Sequence, residues 1–503
     1  MIVLSTLNAR YIHASIGLRC LRANMGSLES ETQIAEFIIQ QPVHEIVERL
    51  LAHGPRIIGF GVYIWNATQT EQVVTMIKRV APEVVLVLGG PEVSHEWQDQ
   101  AIVAQADHLI TGAADLTFGP LCRSILRGEV PEKVIVADPP APQDLVMPYR
   151  QYTQEDIDQR VVYVEASRGC PFKCEFCLSA LDAGAKPFGL DDFLLEMGLL
   201  YERGLRHFKF VDRTFNLRED SSCRILDYFL EKLEQNPAIA SDLFLHFEVI
   251  PDRLPEKLRD RLTRFPAAVL QLEIGIQTFN PEVQSTISRR QDNARSKANL
   301  GWLRTETRAH LHVDLIAGLP GEDIQSLGES FDQLVALDPQ EIQMGILKRL
   351  RGSVIRRHTD DYGMVYDTFP PYSLLRNDRL EFADMQRINR FARFWGLIGN
   401  SGRFVHTRPW LLGNTPFERF MLLSDAIYRS TAQTHQFALK RLIRTVHACA
   451  REVLSGDSAE LEAAVRRDWD RAYPGHPYDP APANSVKQAA ISHTSRQSRH
   501  VPL

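Results

Sequence analysis

The sequence has 503 residues, 57 Lys and Arg against 63 Asp and Glu, and a net charge of −6. This length exceeds one compact core, and fractions of 44% hydrophobic and 24% charged residues are typical of globular proteins rather than disordered chains, collagen or membrane channels. The charge balance offers no electrostatic footprint for a nucleic-acid backbone, so a nucleic-acid partner is not favoured.

The first 136 residues alternate short apolar runs with helix-like segments. The runs are IVLST near the start, Ile57 to Trp65, Val84 to Gly90 and His108 to Gly112. Buried parallel strands have such continuous Val, Ile and Leu runs, and the segment from Thr68 to Val80 has helical composition. Residues 1–136 are therefore predicted to form an α/β domain with a doubly wound parallel sheet.

A proline-rich passage from Ala137 to Tyr149 interrupts this alternation, because proline removes a backbone donor and fixes its own torsion. We expect a linker over residues 137–160. The alternation resumes over residues 161–350 with six apolar runs, each followed by a plausible helix. Right-handed crossovers would curl them into a partial (β/α)6 barrel of the TIM type, in which chemistry occurs at the carboxyl ends of the strands.

Beyond residue 350 the pattern becomes mainly helical. Met385, Ile388, Phe391 and Trp395 are spaced as one apolar helix face, which favours a core stripe over a cofactor site. We expect a helical C-terminal domain over residues 351–473. Residues 474–503 mix Pro, Ser, His, Gln and Arg without periodicity and are predicted to be disordered.

Three of the seven cysteines lie within eight positions, at Cys170, Cys174 and Cys177, directly after an apolar run. Three thiolates can hold a 4Fe-4S cluster and leave one iron free for a further ligand. A closed zinc site is the alternative, but it needs four ligands, usually as two cysteine pairs, and no second pair follows. The other four cysteines are isolated in the sequence and are typical of buried apolar residues.

The spacing C-x3-C-x2-C, with the aromatic Phe176 before the third cysteine and a six-strand barrel around it, resembles the radical S-adenosylmethionine (SAM) superfamily. The resemblance implies that Cys170, Cys174 and Cys177 bind a 4Fe-4S cluster. It further implies that SAM chelates the open iron and is cleaved to a 5'-deoxyadenosyl radical, with Phe176 near this cofactor.

Polar residues at later strand ends extend this resemblance. Strand periodicity places His246 with Glu248, Glu273 with Gly275 and Gln277, and His310 with His312 and Asp314 on common faces. The runs from Gly275 to Asp292 and from Asp314 to Glu322 are similar to those of oxygen-independent coproporphyrinogen oxidases. By that resemblance Glu248, Gln277, Arg289 and Asp314 contact SAM, Arg289 pairs with its carboxylate, and Asp212 lies near its amine. His310 and His312 are more typical of satisfied interior histidines.

The predicted strand ends of the N-terminal sheet carry Asn8, Gly61, Tyr63, Gly89 and Gly90, where open parallel sheets bind ligands. A domain of this kind before a radical SAM barrel resembles the cobalamin-binding module of one class of these enzymes, so these five residues are candidate cobalamin contacts. The Asp-x-His-x-x-Gly pattern of the lower cobalt ligand is absent, so we expect His13 to have a surface or capping role rather than to coordinate cobalt. The alternative is a cofactor-free sheet with glycines in tight turns.

The resemblance covers residues 1–345 and implies a cobalamin-dependent radical SAM enzyme, in particular a methyltransferase that uses one SAM to methylate cobalamin and another to form the substrate radical. Rearrangement, cyclisation or oxidation without methyl transfer is the alternative. A tRNA methylthiotransferase would need a further cysteine triad, and a non-catalytic sensor would cleave no SAM.

We expect a small-molecule substrate, a reducing partner such as flavodoxin or ferredoxin, and no membrane association. The sequence lacks both a targeting segment and a run long enough to span a bilayer, which predicts a cytoplasmic protein.

Overall fold

The N-terminal region forms a six-stranded parallel sheet in a computed structural model that describes residues 1–182 and 184–480. The sheet has the strand order β2-β1-β3-β4-β5-β6. Its strands are β1 (Ile2–Asn8), β2 (Thr32–Ile38), β3 (Ile57–Gly61), β4 (Val85–Gly89), β5 (His108–Gly112) and β6 (Val134–Ala137). The strand order reverses between β1 and β3, which is the position where open α/β sheets bind ligands.

Both faces of this sheet are covered. Val3 and Leu7 of β1 belong to one apolar cluster, whereas Ile2 and Leu4 belong to another on the opposite face. The covering helices are α1 (Ile16–Ala23), α2 (Val43–Ala52), α3 (Ala67–Val80), α4 (Ala101–Gln105) and α5 (Phe118–Leu126). The predicted doubly wound α/β sheet is thereby confirmed.

Two details of the predicted elements were wrong, namely two missed strands and the end of one strand, and a helix lies within the predicted linker. Strands β2 and β6 were not predicted, because β2 alternates polar with apolar residues and β6 has only four residues. The strand predicted from Ile57 to Trp65 ends at Gly61, since the chain then turns, with the Asn66 N–H donating to the Tyr63 carbonyl at 3.0 Å. The region predicted as a linker contains helix α6 (Gln154–Gln159), which Thr153 and Asp156 begin with a capping box.

The second sheet is also parallel and has six strands, in the spatial order β14-β13-β12-β11-β10-β7, so that each strand pairs with the next one along the chain. The predicted partial barrel is confirmed by this order. The strands are β7 (Val162–Val164), β10 (His207–Phe210), β11 (Phe244–Val249), β12 (Leu270–Gln277), β13 (His310–Ala317) and β14 (Glu341–Ile346), and a short ribbon of β8 (Ser167–Arg168) and β9 (Lys186–Pro187) follows β7.

Helices connect these strands and cover their outer face. They are α7 (Leu190–Glu202), α8 (Glu219–Gln235), α9 (Glu256–Leu262), α10 (Pro281–Thr286), α11 (Asn293–Glu306) and α12 (Ile324–Leu337). Along β12 and β13 every second residue is buried against this layer, and the residues between are only partly buried. The inner surface of the barrel therefore carries the polar series Glu273, Gly275 and Gln277 from β12.

The C-terminal region is mainly helical, as predicted. It contains a ribbon of β15 (Val365–Tyr366) and β16 (Leu374–Arg376), followed by α13 (Phe382–Ile398), α14 (Thr407–Leu412), α15 (Pro416–Thr431), α16 (Leu439–Val453) and α17 (Ser458–Ala472). The apolar stripe predicted on α13, from Met385 to Trp395, is buried in the core. Within the described ranges, none of the helices is both long enough and apolar enough to cross a bilayer.

The start of the segment predicted to be disordered is packed. The Tyr478 ring lies against Trp469, and its hydroxyl is 2.7 Å from Nδ1 of His447, so the prediction was wrong at this residue. An aromatic ring can bury apolar surface without any regular element around it. The remainder of that prediction, residues 481–503, lies outside the described residues.

Candidate functional site

The three clustered cysteines line one cavity at the carboxyl end of the barrel. Cys170 is buried and Cys174 and Cys177 are half-buried, on the loop between β8 and β9. The cavity has a volume of about 290 Å³. We call residues 170–177 the cluster loop. The Cys177 N–H donates to the Cys174 carbonyl at 3.0 Å, a turn that brings these two residues together.

Five of the six residues predicted to contact SAM line the same cavity. They are Phe176, Glu248, Gln277, Arg289 and Asp314. They come from the cluster loop, the carboxyl-terminal halves of β11, β12 and β13, and the segment after α10. Because parallel strands end at one edge of a sheet, residues up to 138 positions apart meet at one site, as Phe176 and Asp314 do.

Asp212 has a different environment. Its carboxylate accepts hydrogen bonds from the Ala166 N–H at 2.9 Å and the Ser167 hydroxyl at 2.6 Å. It lines a separate cavity of about 30 Å³, not the one with the cysteines. Burial raises the pKa of Asp212 to about 6, although these two donors oppose the shift. In the structure Asp212 fixes the chain between β7 and the cluster loop.

Arg289 contacts both strand β12 and the cluster loop. Its guanidinium donates to the Gly275 carbonyl and to Oε1 of Gln291, and Nη1 lies 3.6 Å from Sγ of Cys174. Burial raises the pKa of the Cys174 thiol, whereas the charge of Arg289 opposes that shift. The arginine therefore favours a thiolate at this position.

Two oxygen acceptors in the cavity wall have no hydrogen-bond partner within the described chain, namely Oε1 of Gln277 and Oδ1 of Asp314. Gln277 also adopts a positive φ of 70°, which is uncommon for a residue other than glycine. Oδ1 of Asp314 is 3.3 Å from Nε2 of His312, without hydrogen-bond geometry. Buried acceptors are nearly always paired, so these two atoms indicate where a ligand would donate.

Glu248 has a carboxyl group adapted to this partly desolvated wall. Burial raises its pKa to about 7, and Arg213, at 3.6 Å, only partly opposes the shift. Nearby Glu273 and Asp314 raise it further because like charges repel. Glu248 can therefore exchange a proton near neutral pH.

A ladder of histidines and carboxylates lies inside the barrel below the cavity. His246 contacts Glu273 at 2.9 Å, His310 contacts Glu341 at 3.1 Å, and His312 lies 3.3 Å from the same glutamate. Burial alone lowers the pKa of His312, but Asp314 and Glu341 raise it to about 10. His312 is therefore a cation at neutral pH, and both predicted interior histidines have carboxylate partners.

Several cavity residues were not chosen from the sequence. Arg213 and Thr214 follow Asp212 directly, and Glu273 shares its strand face with Gln277. For Arg213 and Thr214, the available signal was their position directly after Asp212 at a strand end. For Glu273, it was the period-two spacing with Gln277 along β12. The others are Phe172, Ala180, Val249, Ile250, Pro251, Gly275, Arg290 and Gln291. Of these, Val249 and Arg290 directly follow predicted site residues, and Gly275 shares the strand face of Gln277.

A second cavity, of about 370 Å³, opens beside β1 and β3 in the N-terminal sheet. Of the five candidate cobalamin contacts, Asn8 and Tyr63 line it, and Gly61, Gly89 and Gly90 do not. The remaining lining residues are Ala9, His13, Ala14, Ser15, Ile16, Gly17, Trp65, Tyr163 and Val211. Tyr163 and Val211 belong to the barrel, so this cavity lies between the two sheets.

The polar side chains of this second cavity mostly bind one another or the backbone. Nδ2 of Asn8 donates to the His13 carbonyl at 2.8 Å and to Glu36 at 3.0 Å. Tyr63 and Trp65 stack with their ring centroids 4.5 Å apart. Aromatic and aliphatic groups thus form most of the exposed wall.

His13 lies at the boundary of the two domains. Its Nδ1 is 2.6 Å from the hydroxyl of Tyr163. Burial lowers the pKa of His13, and the neighbouring cations Lys209, Arg10 and Arg160 lower it further. The imidazole is therefore neutral at physiological pH, as a hydrogen-bonded interdomain histidine would be.

Gly90, directly after β4, has a backbone conformation and a close contact that require glycine. Its φ is +106°, and a Cβ there would lie 2.5 Å from the carbonyl oxygen of Val62. Only glycine permits this backbone approach between two adjacent loops. The glycine is required by chain packing beside the cavity.

A segment after the last barrel strand, residues 349–358, contacts loops of both domains, and we call it the strap. Arg349 pairs with Glu96 at 2.7 Å and Arg351 with Glu92 at 2.9 Å, both in the loop after β4. At its other end Arg357 and His358 contact the cluster loop. The strap therefore connects the loop after β4 of the N-terminal domain with the cluster loop of the barrel.

Comparison with known proteins gives the chain its family relationships. The sequence matches the B12 binding domain over residues 2–121 and the radical SAM superfamily over residues 164–334. The chain carries a B12-binding domain followed by a radical SAM domain. Cobalamin, a 4Fe-4S cluster and SAM are the cofactors of these two domains. After the radical SAM domain, residues 360–471 match a family described as protein of unknown function, DUF4080.

The combined fold of the B12-binding and radical SAM domains is shared with solved structures. One is the radical SAM methyltransferase TsrM from Kitasatospora setae with cobalamin and a 4Fe-4S cluster bound, at 16% identity and a TM-score of 0.58, covering 73% of this chain and 80% of TsrM. Another is the cobalamin-dependent SAM radical enzyme OxsB, at 12% identity and a TM-score of 0.59, covering 93% of this chain and 83% of OxsB. These likenesses concern the fold.

Among curated relatives is an uncharacterised methyltransferase of Pyrococcus horikoshii. It is 26% identical over 318 residues, which cover 58% of this chain. The chain spans 65% of the length of that relative.

Proposed function

We propose that the protein is a cobalamin-dependent radical SAM enzyme that transfers a methyl group to an unactivated carbon or phosphorus centre of a small molecule. The observation that carries the proposal is that Cys170, Cys174 and Cys177 line one cavity together with the acceptors of Gln277 and Asp314, in a radical SAM domain that follows a B12-binding domain. The choice of methyl transfer is supported by the methyltransferases among its relatives and fold neighbours.

The three cysteines fit a 4Fe-4S cluster. Each thiolate of such a cluster binds a different iron, so three thiols can surround one cavity without meeting at one point. The Arg289 guanidinium beside Cys174 stabilises the deprotonated sulfur that an iron requires. We assign Cys170, Cys174 and Cys177 as the cluster ligands.

The remaining cavity wall fits SAM, which has an ammonium, a carboxylate and ribose hydroxyls. Oε1 of Gln277 has no hydrogen-bond partner within the described chain, and Oδ1 of Asp314 has an ion pair with His312 but no hydrogen bond there, so both suit hydroxyl or ammonium donors. Arg289 is a fork-shaped donor that suits a carboxylate. Glu248 and Phe176 complete the proposed contacts, as a proton-exchanging carboxyl and an apolar face.

The second cavity fits part of a corrinoid cofactor. Its wall is largely apolar and aromatic, it lies at the strand-order reversal of a B12-binding domain, and the barrel residues Tyr163 and Val211 form its far side. We propose Asn8 and Tyr63 as cobalamin contacts. Gly61, Gly89 and Gly90 would shape the loops beside the cofactor.

When bound, the cluster and SAM supply radical chemistry, and cobalamin supplies a transferable methyl group. The chain itself orients these groups. Arg289 and Asp314 would hold opposite charges of SAM, and Phe172, Val249 and Ile250 form an apolar part of the cavity wall. Glu248 can hold or release a proton at its carboxyl oxygen.

A radical SAM enzyme needs an electron, so we propose a reducing partner such as flavodoxin or ferredoxin. All seven cysteines are free thiols, which supports a reducing compartment such as the cytoplasm. We further propose domain boundaries near residues 136, 160, 350 and 473. The end of β6 at Ala137 and the start of β7 at Val162 support the first two.

The decisive experiment is anaerobic incubation of the purified full chain with dithionite and SAM. Formation of 5'-deoxyadenosine above background, together with corrinoid and cluster absorption, is the expected result. A protein that binds both cofactors but forms no 5'-deoxyadenosine would be a sensor and would contradict the proposal. With a substrate, a product heavier by one methyl group supports methyl transfer, whereas an unchanged mass or loss of hydrogen indicates rearrangement, cyclisation or oxidation.

A further inference from the structure

Glu175 lies in the cluster loop between two proposed cluster ligands, Cys174 and Cys177. It does not line the cavity. Only 2% of the surface of Glu175 is exposed. A carboxylate buried to this degree is costly unless charged or polar donors surround it. The donors around the Glu175 carboxylate therefore indicate its role.

Three side chains from two other segments meet this carboxylate. Oε1 accepts from the Ser288 hydroxyl at 2.6 Å and from the Arg357 guanidinium at 2.5 Å, and Oε2 contacts Nε2 of His358 at 2.8 Å. Ser288 precedes Arg289, the proposed partner of the SAM carboxylate. Arg357 and His358 belong to the strap.

The backbone of Glu175 is held by the same two segments. Its N–H donates to the Ile287 carbonyl at 3.1 Å, and its carbonyl accepts from the Ile355 N–H at 2.9 Å. Five polar contacts therefore fix one residue of the cluster loop, and none of them involves a cysteine. No helix or strand lies within the cluster loop, so these contacts help to fix where Cys174 and Cys177 lie.

We propose that Glu175 is a positioning residue, which holds the cluster loop in place through Arg357 and His358 of the strap. The inference rests on the proposed function, because it concerns the loop assigned to the cluster. It gives a role to the segment directly before the region of unknown function, residues 360–471. The strap acts on the cluster through Glu175 and contacts no reacting group.

The test measures how fast the reconstituted full-length protein loses iron to a ferrous chelator under anaerobic conditions. Glu175→Gln keeps the shape of the side chain and removes its charge, and it should accelerate iron loss about tenfold, since hydrogen bonds to charged groups are the strong ones. Arg357→Ala should accelerate it roughly threefold, less because this arginine is partly exposed and therefore screened.

Rescue and control variants separate positioning from general destabilisation. Arg357→Lys keeps a cationic donor and should restore the rate to within about twofold of wild type. Arg356→Ala is the matched control, because this neighbouring arginine contacts Glu96, at 3.7 Å, and not Glu175. In the double variant, Arg357→Ala should add nothing to Glu175→Gln, because both act through one contact. The electron paramagnetic resonance spectrum of the reduced cluster should shift in Glu175→Gln and Arg357→Ala but not in Arg356→Ala.

The outcomes are distinguishable. If wild-type protein retains iron and Arg357→Ala and Glu175→Gln lose it at the wild-type rate, the positioning role is overturned while the proposed function stands. Additive effects in the double variant, or equal effects of Arg356→Ala, also overturn it. Arg357 is exposed enough that its variant folds even if Glu175→Gln does not. Wild-type protein that binds no iron overturns the proposed function and this inference together.

Discussion

The two cavities differ in what their walls leave unsatisfied. At the barrel mouth, Gln277 and Asp314 present buried acceptors that receive no hydrogen bond from the described chain, and Glu248 is a carboxyl with a raised pKa. Between the domains, Asn8 and His13 use their polar atoms within the protein, and the aromatic pair of Tyr63 and Trp65 dominates the wall. The first cavity would select a ligand by charge and hydrogen bonds, and the second by shape and apolar contact. Substitutions should therefore affect the two cavities independently.

The largest expected difference between the cavities comes from Cys174→Ala. The variant lacks one proposed cluster ligand and should lose the cluster completely, measured as iron content and cluster absorption after reconstitution. Corrinoid binding should remain at the wild-type level because the second cavity contains no cysteine. Cys223→Ala, in a buried position outside both cavities, is the control and should keep both cofactors. Retention of the cluster in Cys174→Ala would contradict the ligand assignment.

The corresponding variant in the N-terminal domain is Gly90→Ala, which should destabilise this domain alone. A Cβ at this position would lie 2.5 Å from the Val62 oxygen at a positive φ, so we expect a loss of about 3 kcal/mol in the unfolding free energy of this domain. Urea unfolding followed by circular dichroism measures it. Gly128→Ala has a φ of +82° but nothing within 4 Å of its Cβ, so it isolates the contribution of the contact. Equal losses in the two variants would show that Gly90 has only a conformational role.

Two adjacent arginines allow a test of whether the barrel cavity contacts the SAM carboxylate specifically. Arg289 is hydrogen-bonded to Gly275 and Gln291, whereas Arg290 is exposed at the cavity wall. Arg289→Ala should weaken SAM binding by about tenfold or more, since a charge-assisted contact is worth roughly 1.5–3 kcal/mol. Isothermal titration of the reconstituted protein measures the dissociation constant. Arg290→Ala should change it less than about twofold, and a comparable effect of both would argue against a specific carboxylate contact.

The smallest expected effect is a pH dependence of stability at Glu248. Its pKa of about 7 in the folded chain exceeds its ordinary value of 4.5, so the folded state binds a proton that the unfolded state has lost between these two pH values. This contribution is fully present below about pH 4.5 and disappears as the pH rises through about 7. Glu248→Gln should therefore become more stable than wild type by about 1–2 kcal/mol on going from pH 5 to pH 8.

Chemical unfolding at several pH values measures this difference. Glu83→Gln, at an exposed position, is the control for the loss of one carboxylate elsewhere in the chain. If the difference in unfolding free energy between Glu248→Gln and wild type does not change with pH, the Glu248 carboxyl is well solvated. The wall of the barrel cavity would then resemble ordinary protein surface.

The sequence was most informative where the signal is local. The cysteine spacing and the buried strand runs each lie within about ten residues, and they predicted three lining residues of the barrel cavity and most strands of both sheets. The family resemblance supplied five further lining residues, namely Phe176, Glu248, Gln277, Arg289 and Asp314. Asp212 shows the limit of this reasoning. Position at a strand end predicts nearness to a site, but the Ala166 N–H and Ser167 hydroxyl decide where the carboxylate points.

Edge elements and long-range contacts were harder to predict. Strand β2 is a mixed polar and apolar segment beside one neighbour, so its composition is not that of a buried parallel strand. The glycines of the N-terminal loops were chosen for ligand access, whereas Gly90 is required by the Val62 backbone. The strap contacts join residues more than 180 positions apart, such as Glu175 and Arg357, and no local pattern encodes them.

The strap also constrains the order of events during synthesis. Arg349 and Arg351 pair with Glu96 and Glu92, which leave the ribosome 253 and 259 residues earlier. Domains generally fold in the order in which they emerge. The N-terminal sheet can thus be complete long before its carboxylates meet these arginines, and its docking onto the barrel is a late step of biogenesis.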